Sequence, residues 1–256
     1  HSFPKKYFKD VFLVVGSEVP IAGGGNTLKP TPTSLDSIKK EVNLYKSSFK
    51  NEKNFSLVIE PGIGFNNYKI IKAKLKNFKK KLVFSKNNNF SYEAHSTDYQ
   101  KTSSLKKLVK NNFKFLKVGP ELTYFFSRAI FKMQEIENKN CTKNFSNIKN
   151  SILKEMKMNK KYWINYYKGS GGSLVNLKLN SYLDRLRYYW DTKKISNSKK
   201  KLFKHINSIN KNKIINKKDI LLKKKLSLTN SEFIIFKYLE NTLKKYYLAC
   251  SFRLKK

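Results

Sequence analysis

Arginine and acid are both scarce in this chain. Its 256 residues hold 55 basic side chains against 17 acidic ones, yet only Arg128, Arg185, Arg187 and Arg253 are guanidinium groups. Specific readers of phosphate and base edges favour Arg for its bidentate fork. The net charge of +38 therefore does not by itself argue for a dedicated nucleic-acid binder. The Lys comes with an excess of Asn, Ile, Phe and Tyr along the whole length, as in Asn87-Asn88-Asn89 and Lys199-Lys200-Lys201. So uniform a bias points to drift in coding composition more than to a selected binding face, since charge speaks to solubility and non-specific contact rather than fold. A non-specific basic nucleic-acid-binding protein is the alternative that charge leaves open; no specific nucleic acid is expected as a partner.

Cysteine is equally sparse. Cys141 and Cys250 cannot make a disulfide framework and lack metal-type spacing, which suits a reducing, cytoplasmic setting. No apolar run reaches the ~18 residues of a membrane span, and no leader pattern precedes the first strand-like run. No membrane partner is expected. Starting at His1 with a strand within a dozen residues, the chain reads as the C-terminal part of something longer.

What is present is a βα rhythm. Val11-Phe-Leu-Val-Val15 is the continuous apolar run of a strand buried on both faces. It ends at Gly16-Ser17-Glu18-Val19-Pro20 and the loop Gly23-Gly24-Gly25, which matches neither the dinucleotide nor the P-loop pattern. Ser34 is a plausible N-cap, followed by Leu35, Ile38, Val42, Tyr45 and Phe49 at helical spacing. Phe55-Ser-Leu-Val-Ile59 is the second strand, closed by Glu60-Pro61-Gly62. Tyr68, Ile71, Leu75, Phe78 and Leu82 then predict a helix. A third unit runs from Phe90 to about Asn111, and a fourth from Phe113 to Val118 through a helix using Leu122, Phe126, Ala129, Met133 and Ile136. Four βα units in residues 1–140 make half of an eight-fold barrel or most of a small doubly wound sheet. Residues 141–256 turn helical, over about 148–168, 181–190, 200–210 and 230–250, with a break at Gly169-Ser170-Gly171-Gly172. The Lys-rich stretch 193–226 reads as a solvated helical surface.

In parallel βα arrays chemistry sits at the C-terminal ends of strands. The third strand ends in Tyr92-Glu93-Ala94-His95-Ser96-Thr97-Asp98-Tyr99-Gln100, where Glu93 and His95 share one strand face. Glu93, His95 and Asp98 are candidate catalytic groups, although Asp98 equally suits the N-cap of the next helix. Glu18, after the first strand, is a candidate acid/base or metal ligand, with an exposed loop carboxylate as the plain alternative. Glu60 carries less weight, being one carboxylate at a turn. After the fourth strand, Gly119 opens a helix whose free N–H groups suit an anion, and Lys117 points either at phosphate or outward. Asp184-Arg185-Leu186-Arg187-Tyr188-Tyr189-Trp190 holds two of the four arginines. Arg kept against a Lys-rich background suits bidentate phosphate binding or an internal carboxylate pair.

Taken in order, Val15–Pro20 with its Gly loop, Glu60-Pro61-Gly62, Tyr92–Gln100, Leu116–Pro120, Tyr162-Trp163, Asp184–Trp190 and the stretch Tyr247–Cys250 resemble the D-tagatose-bisphosphate aldolase non-catalytic subunit family. The resemblance implies the C-terminal half, strands five to eight, of a TIM-type (β/α)8 barrel, with a helical C-terminal extension packing on it. It implies an accessory subunit that supports the activity and stability of a class II aldolase cleaving tagatose 1,6-bisphosphate, with that catalytic subunit as partner. Some relatives are described as metal-dependent tagatose 6-phosphate 4-epimerases. That reading implies a divalent metal such as zinc, with Glu18 and His95 as candidate metal or acid/base residues and Gly119 at the phosphate end. The chain departs from the family's pattern after Glu60, where Gly64, Asn66 and Asn67 stand in place of acidic and His residues.

Overall fold

The computed structural model describes residues 12–16, 30–48, 55–72 and 78–250. The chain divides into two compact units, His1–Val118 with Tyr246–Lys256, and Gly119–Lys245. The division falls just ahead of the long helix at Pro120, whereas the sequence puts the change of character near residue 140.

In the first unit, β1 (Leu13–Val15), α1 (Leu35–Ser48) and β2 (Phe55–Ile59) open the chain. A two-stranded hairpin, β3 (Gly64–Phe65) with β4 (Ile70–Ile71), comes next. Then follow α2 (Lys79–Asn87), β5 (Ser91–Ala94), α3 (Thr102–Lys110) and β6 (Phe113–Leu116). Strands β1, β2, β5 and β6 form one parallel sheet in chain order. Ser34 does cap α1, its Oγ accepting from the Ser37 amide at 3.0 Å. The helix expected over Tyr68–Leu82 does not form as a single element. Asn66 Oδ1 accepts from the amides of Tyr68 (2.9 Å) and Lys69 (2.8 Å), a side-chain turn that reverses the chain into the hairpin. Among the described residues of that stretch, helix starts at Lys79.

Register decides what each strand buries. Leu13 lies beside Phe55 and Val15 beside Leu57, so these side chains face the helices with Ile38, Val42, Leu105 and Leu108. Tyr45, Phe55, Phe90, Tyr92 and Phe113 run through this layer as an aromatic ladder with centroids 4.1–5.4 Å apart. On the other face Val14 lies beside Ser56, and Ser56 beside Ser91. Phe12 (39 % exposed), Val14 (41 %) and Phe115 (38 %) stand on that face. Alternation thus puts Leu57 and Ile59, 1 % and 2 % exposed, on the face opposite Phe12 and Val14.

The sheet is curled. Phe12 and Phe115 belong to opposite edges, which a flat sheet would hold about 14 Å apart with side chains standing perpendicular to it. Their rings nonetheless meet at 5.3 Å. On the central strands of that face Ser56 and Ser91 are small, buried and hydrogen-bonded to each other.

The second unit is helical: α4 (Pro120–Asn140), α5 (Ile148–Met158), α6 (Gly171–Asn180), a 3-10 turn at Arg185–Tyr189, α7 (Lys193–Ser208), α8 (Lys217–Lys225) and α9 (Asn230–Ala249). The last turn of α9, from Tyr246, counts with the first unit. Helices α4, α5 and α7 pack together over Ile130, Met133, Ile152, Met156, Leu202 and Ile206. Helix α5 stops at Met158 instead of running to 168. The Trp163 indole donates to the Met156 carbonyl and the Tyr189 hydroxyl to that of Asn159, both at 2.6 Å. Donors from elsewhere thereby satisfy the C-terminal carbonyls that an extended helix would have used. The glycine break gives way to α6 directly, with Gly171 at φ +51° making the turn, and the helix expected over 181–190 is reduced to the 3-10 turn. The Lys-rich stretch is helical in α7 and α8, and α8 buries no residue.

The two-faced register generates a direct test. Leu57→Ala should lower stability by about 2–5 kcal/mol, and Val14→Ala by about 0.5 kcal/mol or less, by urea denaturation. Equal losses at the two positions would show the register to be wrong.

Candidate functional site

The C-terminal ends of β2, β5 and β6 bring together the groups that can do chemistry in the first unit. β5 pairs Tyr92 with Phe113 and Glu93 with Phe115, so Lys114 is the extra residue of a bulge. Such irregularities re-aim a side chain at a strand end. One residue past β5, His95 Nε2 lies 2.7 Å from Glu93 Oε1, with the two side chains 14 % and 13 % exposed. A carboxylate acceptor there assigns the ring proton to Nε2 and leaves the Nδ1 lone pair as a base. That is the pair expected from their shared strand face.

The rest of the Tyr92–Gln100 block works as a joint. Ser96 and Tyr99 take left-handed backbone, φ +53° and +61°, a conformation that costs a non-glycine residue about 1–2 kcal/mol. Tertiary bonds hold it. Thr97 Oγ1 donates to the Lys117 carbonyl at 2.8 Å, and the Tyr246 hydroxyl donates to the Thr97 carbonyl at 2.9 Å. Gln100 Nε2 donates to the Ile71 carbonyl at 3.0 Å, and the Tyr99 ring meets Phe65 edge-on at 5.2 Å. Asp98 is buried and is not the N-cap of α3, a position Lys101 holds. The Lys117 side chain is exposed, while its carbonyl receives Thr97.

Glu60 proves more than a turn residue. Its Oε1 accepts from the amides of Gly62 (2.7 Å) and Ile63 (3.0 Å). Burial raises its pKa from 4.5 to about 7, the two amides pulling the other way. Glu18 and the Gly23–Gly25 run lie outside the described residues. Among the described residues no three His, Cys, Asp or Glu are gathered to hold a metal ion. Glu93 and His95 supply two donors suited to zinc, one fewer than the three protein ligands a catalytic zinc takes.

The remaining candidates belong to the second unit. Gly119 precedes α4, and a Cβ built on it would meet nothing within 4 Å, so no protein atom demands glycine there. The first turn of α4 already holds a carboxylate, Glu121, buried and bonded to Lys245 and Thr242, which offsets the helix dipole an anion would use. Arg187 is engaged internally, with the carbonyls of Leu183 (2.7 Å) and Asp184 (3.2 Å) and the Tyr188 hydroxyl (2.9 Å). Arg185 is not engaged in that way. Two further acids are buried, Glu137, which nothing in the sequence singles out, and Asp184, the first residue of the Asp184–Trp190 motif. Glu137 accepts from the Ser146 amide (3.0 Å) and hydroxyl (2.6 Å) and pairs with His205 Nδ1 at 2.5 Å. Asp184 is buried, and burial raises its pKa from 3.8 to about 6, with Thr123 and Ser127 pulling the other way. No local pattern marks either as buried; each depends on partners distant in sequence.

These raised carboxyls set the pH dependence. A folded-state pKa above the unfolded one means that the folded chain holds the proton more tightly. The contribution is complete below about 4 and is lost as pH rises through about 6 for Asp184 and about 7 for Glu60. Stability to urea should accordingly fall between pH 5 and pH 8, and Glu60→Gln, which keeps an acceptor for the two amides, should flatten that slope. An unchanged slope in the variant would remove Glu60 from the account.

Residues 2–251 match the family of D-tagatose-1,6-bisphosphate aldolase subunits, GatZ/KbaZ-like. Among solved structures, the chain is similar to a probable tagatose 6 phosphate kinase from Sinorhizobium meliloti 1021, with a TM-score of 0.75 at 22 % identity. The likeness covers 93 % of this chain and 62 % of that one, so it spans under two thirds of the length of the solved relative and bears on fold alone. Among the described residues no helix is long and apolar enough to cross a membrane. With a family match running over nearly its whole length, this chain belongs to the D-tagatose-1,6-bisphosphate aldolase subunit GatZ/KbaZ-like family.

Proposed function

We propose that the chain is an accessory subunit of a class II tagatose-1,6-bisphosphate aldolase in sugar-phosphate catabolism, built on the C-terminal half of a (β/α)8 framework and working in the cytoplasm. The family match over residues 2–251 carries the reading. Three features support the half-barrel. The strands follow chain order without the reversal of a doubly wound sheet. The sheet curls until Phe12 meets Phe115. β1 and β6 each pair on one side only among the described residues.

A second reading, a metal-dependent tagatose 6-phosphate 4-epimerase, is favoured by one observation, the imidazole of His95 set up as a base by Glu93. In that case His95 Nδ1 would take or return a proton on the sugar, and Glu93 would hold the ring and stabilise its charged form. Glu18, Lys117 and Gly119 would be metal or phosphate contacts only under this reading.

Adding the chain to a class II tagatose-1,6-bisphosphate aldolase should raise its cleavage rate and lengthen its half-life on warming. His95→Gln should leave both effects intact. Epimerisation of tagatose 6-phosphate by the chain alone, dependent on added divalent metal and lost in His95→Gln, would replace the accessory reading with the epimerase.

The half-barrel has its own test. Side chains such as Phe12, Val14 and Phe115, 38–41 % exposed, each forgo part of the ~1.5–3 kcal/mol that full burial supplies, against a net stability of about 5–15 kcal/mol for a domain. Purified alone, the chain should self-associate or unfold at low temperature. A monomer melting cooperatively above about 60 °C would overturn it.

A further inference from the structure

Five buried polar atoms without a hydrogen-bond partner among the described residues come from one stretch of nine residues. They are Asp184 Oδ2, Arg185 Nε and Nη2, Trp190 Nε1 and Thr192 Oγ1. Native proteins leave few such groups, and each calls for a physical reason. Arg185 is the most telling, because it is a charge only 6 % exposed. Its amide donates to the Tyr167 hydroxyl at 2.9 Å, and Nη1 reaches the Tyr188 hydroxyl at 3.4 Å. One face of the guanidinium rests on the Tyr166 ring, 3.2 Å from the centroid, with Tyr188 at 5.6 Å. No carboxylate among the described residues pairs with it.

The two unpartnered nitrogens are not independent. Nε–H and one Nη2–H lie along the same edge of the planar group and point the same way, the fork that receives two oxygens of one carboxylate or phosphate. We propose that this edge of Arg185 is the receptor for an oxyanion of a small ligand, a phosphate monoester or a carboxylate. The chemistry separates it from Arg187, whose donors serve Leu183, Asp184 and Tyr188. A lysine cannot offer the fork, which gives a reason for Arg at position 185 in a chain that otherwise uses Lys. Both nitrogens are shut from water as the side chains stand, so binding requires one to move. Tyr188, 43 % exposed, is the less buried of the two rings over the guanidinium and takes that role. The proposal rests on neither the accessory nor the epimerase reading.

Phenylglyoxal marks guanidinium groups, and with four arginines in the chain each modified site can be assigned by mass. On the intact chain, Arg185 should react slowly. Inorganic phosphate at about ten times its Kd should slow that reaction about tenfold, while sodium chloride at matched ionic strength should not, and Arg187 should respond equally to both salts. Protection by acetate as well as phosphate would identify a carboxylate-tolerant site; protection by phosphate alone would narrow it to phosphate monoesters. As a second measure, phosphate should raise the Tm of the parent and of Arg187→Lys but not of Arg185→Lys. An Arg185 that never reacts, or that chloride protects as well as phosphate does, would make it a closed structural stack and end the proposal.

Discussion

The pairing of Leu13 with Phe55 and of Tyr92 with Phe113 decides which half of every strand leaves water, and the first unit depends on it. Strand side chains alternate with a period of two, so a slip of one residue would turn Leu57 and Tyr92 out and Val14 and Ser56 in. The aromatic ladder makes such a slip costly. Tyr92, fully buried, is clamped by Phe78, Phe90 and Phe113 and anchored by its hydroxyl, which donates to the Lys81 carbonyl at 2.9 Å. Fixing Tyr92 fixes Glu93 on the opposite face and His95 two residues on. The acid–base pair is thus a consequence of core packing one residue away, and disturbance of the ladder reaches the site through the backbone.

Charge imposes a second constraint. A chain with 17 acids and 55 bases repels itself when compact, and its acids cannot be evenly spread as surface counterions. Several are instead internal fasteners. Glu137 ties the end of α4 to Ser146 and to His205 on α7, Glu121 joins the start of α4 to Thr242 and Lys245 on α9, and Glu60 closes its own turn. In a low-dielectric interior a satisfied carboxylate is strongly held, whereas removing its partners leaves a buried charge. The same drift that multiplied Asn is put to use in the backbone. Asn89, Asn112, Asn144 and Asn147 all take positive φ, the region where Asn is the usual substitute for glycine.

Much of this was open to reading from the chain, and the limits have physical causes. Apolar runs and the Ser34 cap are local signals, so the four parallel strands and α1 emerge where expected. The Tyr68–Leu82 pattern misled because apolar spacing says nothing of Asn66, whose side chain supplies a turn that helix periodicity does not encode. The end of α5 is set by indole and hydroxyl donors from Trp163 and Tyr189, the latter thirty residues away. Arg185 and Arg187 are equivalent in sequence. Only tertiary contacts show that one is engaged while the other has two donors without a partner among the described residues.

The Tyr92–Gln100 block shows how a specific family motif can carry less chemistry than its composition suggests. Thr97, Tyr99 and Gln100 each hold a different neighbour: the β6 exit and Tyr246, the hairpin ring Phe65, and the β4 carbonyl of Ile71. Two left-handed residues, Ser96 and Tyr99, make those contacts reachable at a conformational cost that the bonds offset. A substitution at most of these positions would loosen the strand end rather than remove a reacting group. Glu93 and His95 are the pair in the block whose arrangement suits proton transfer, beside a buried Asp98. The joint serves a subunit with or without catalysis of its own, so the two readings part at the His95 imidazole and its bond to Glu93.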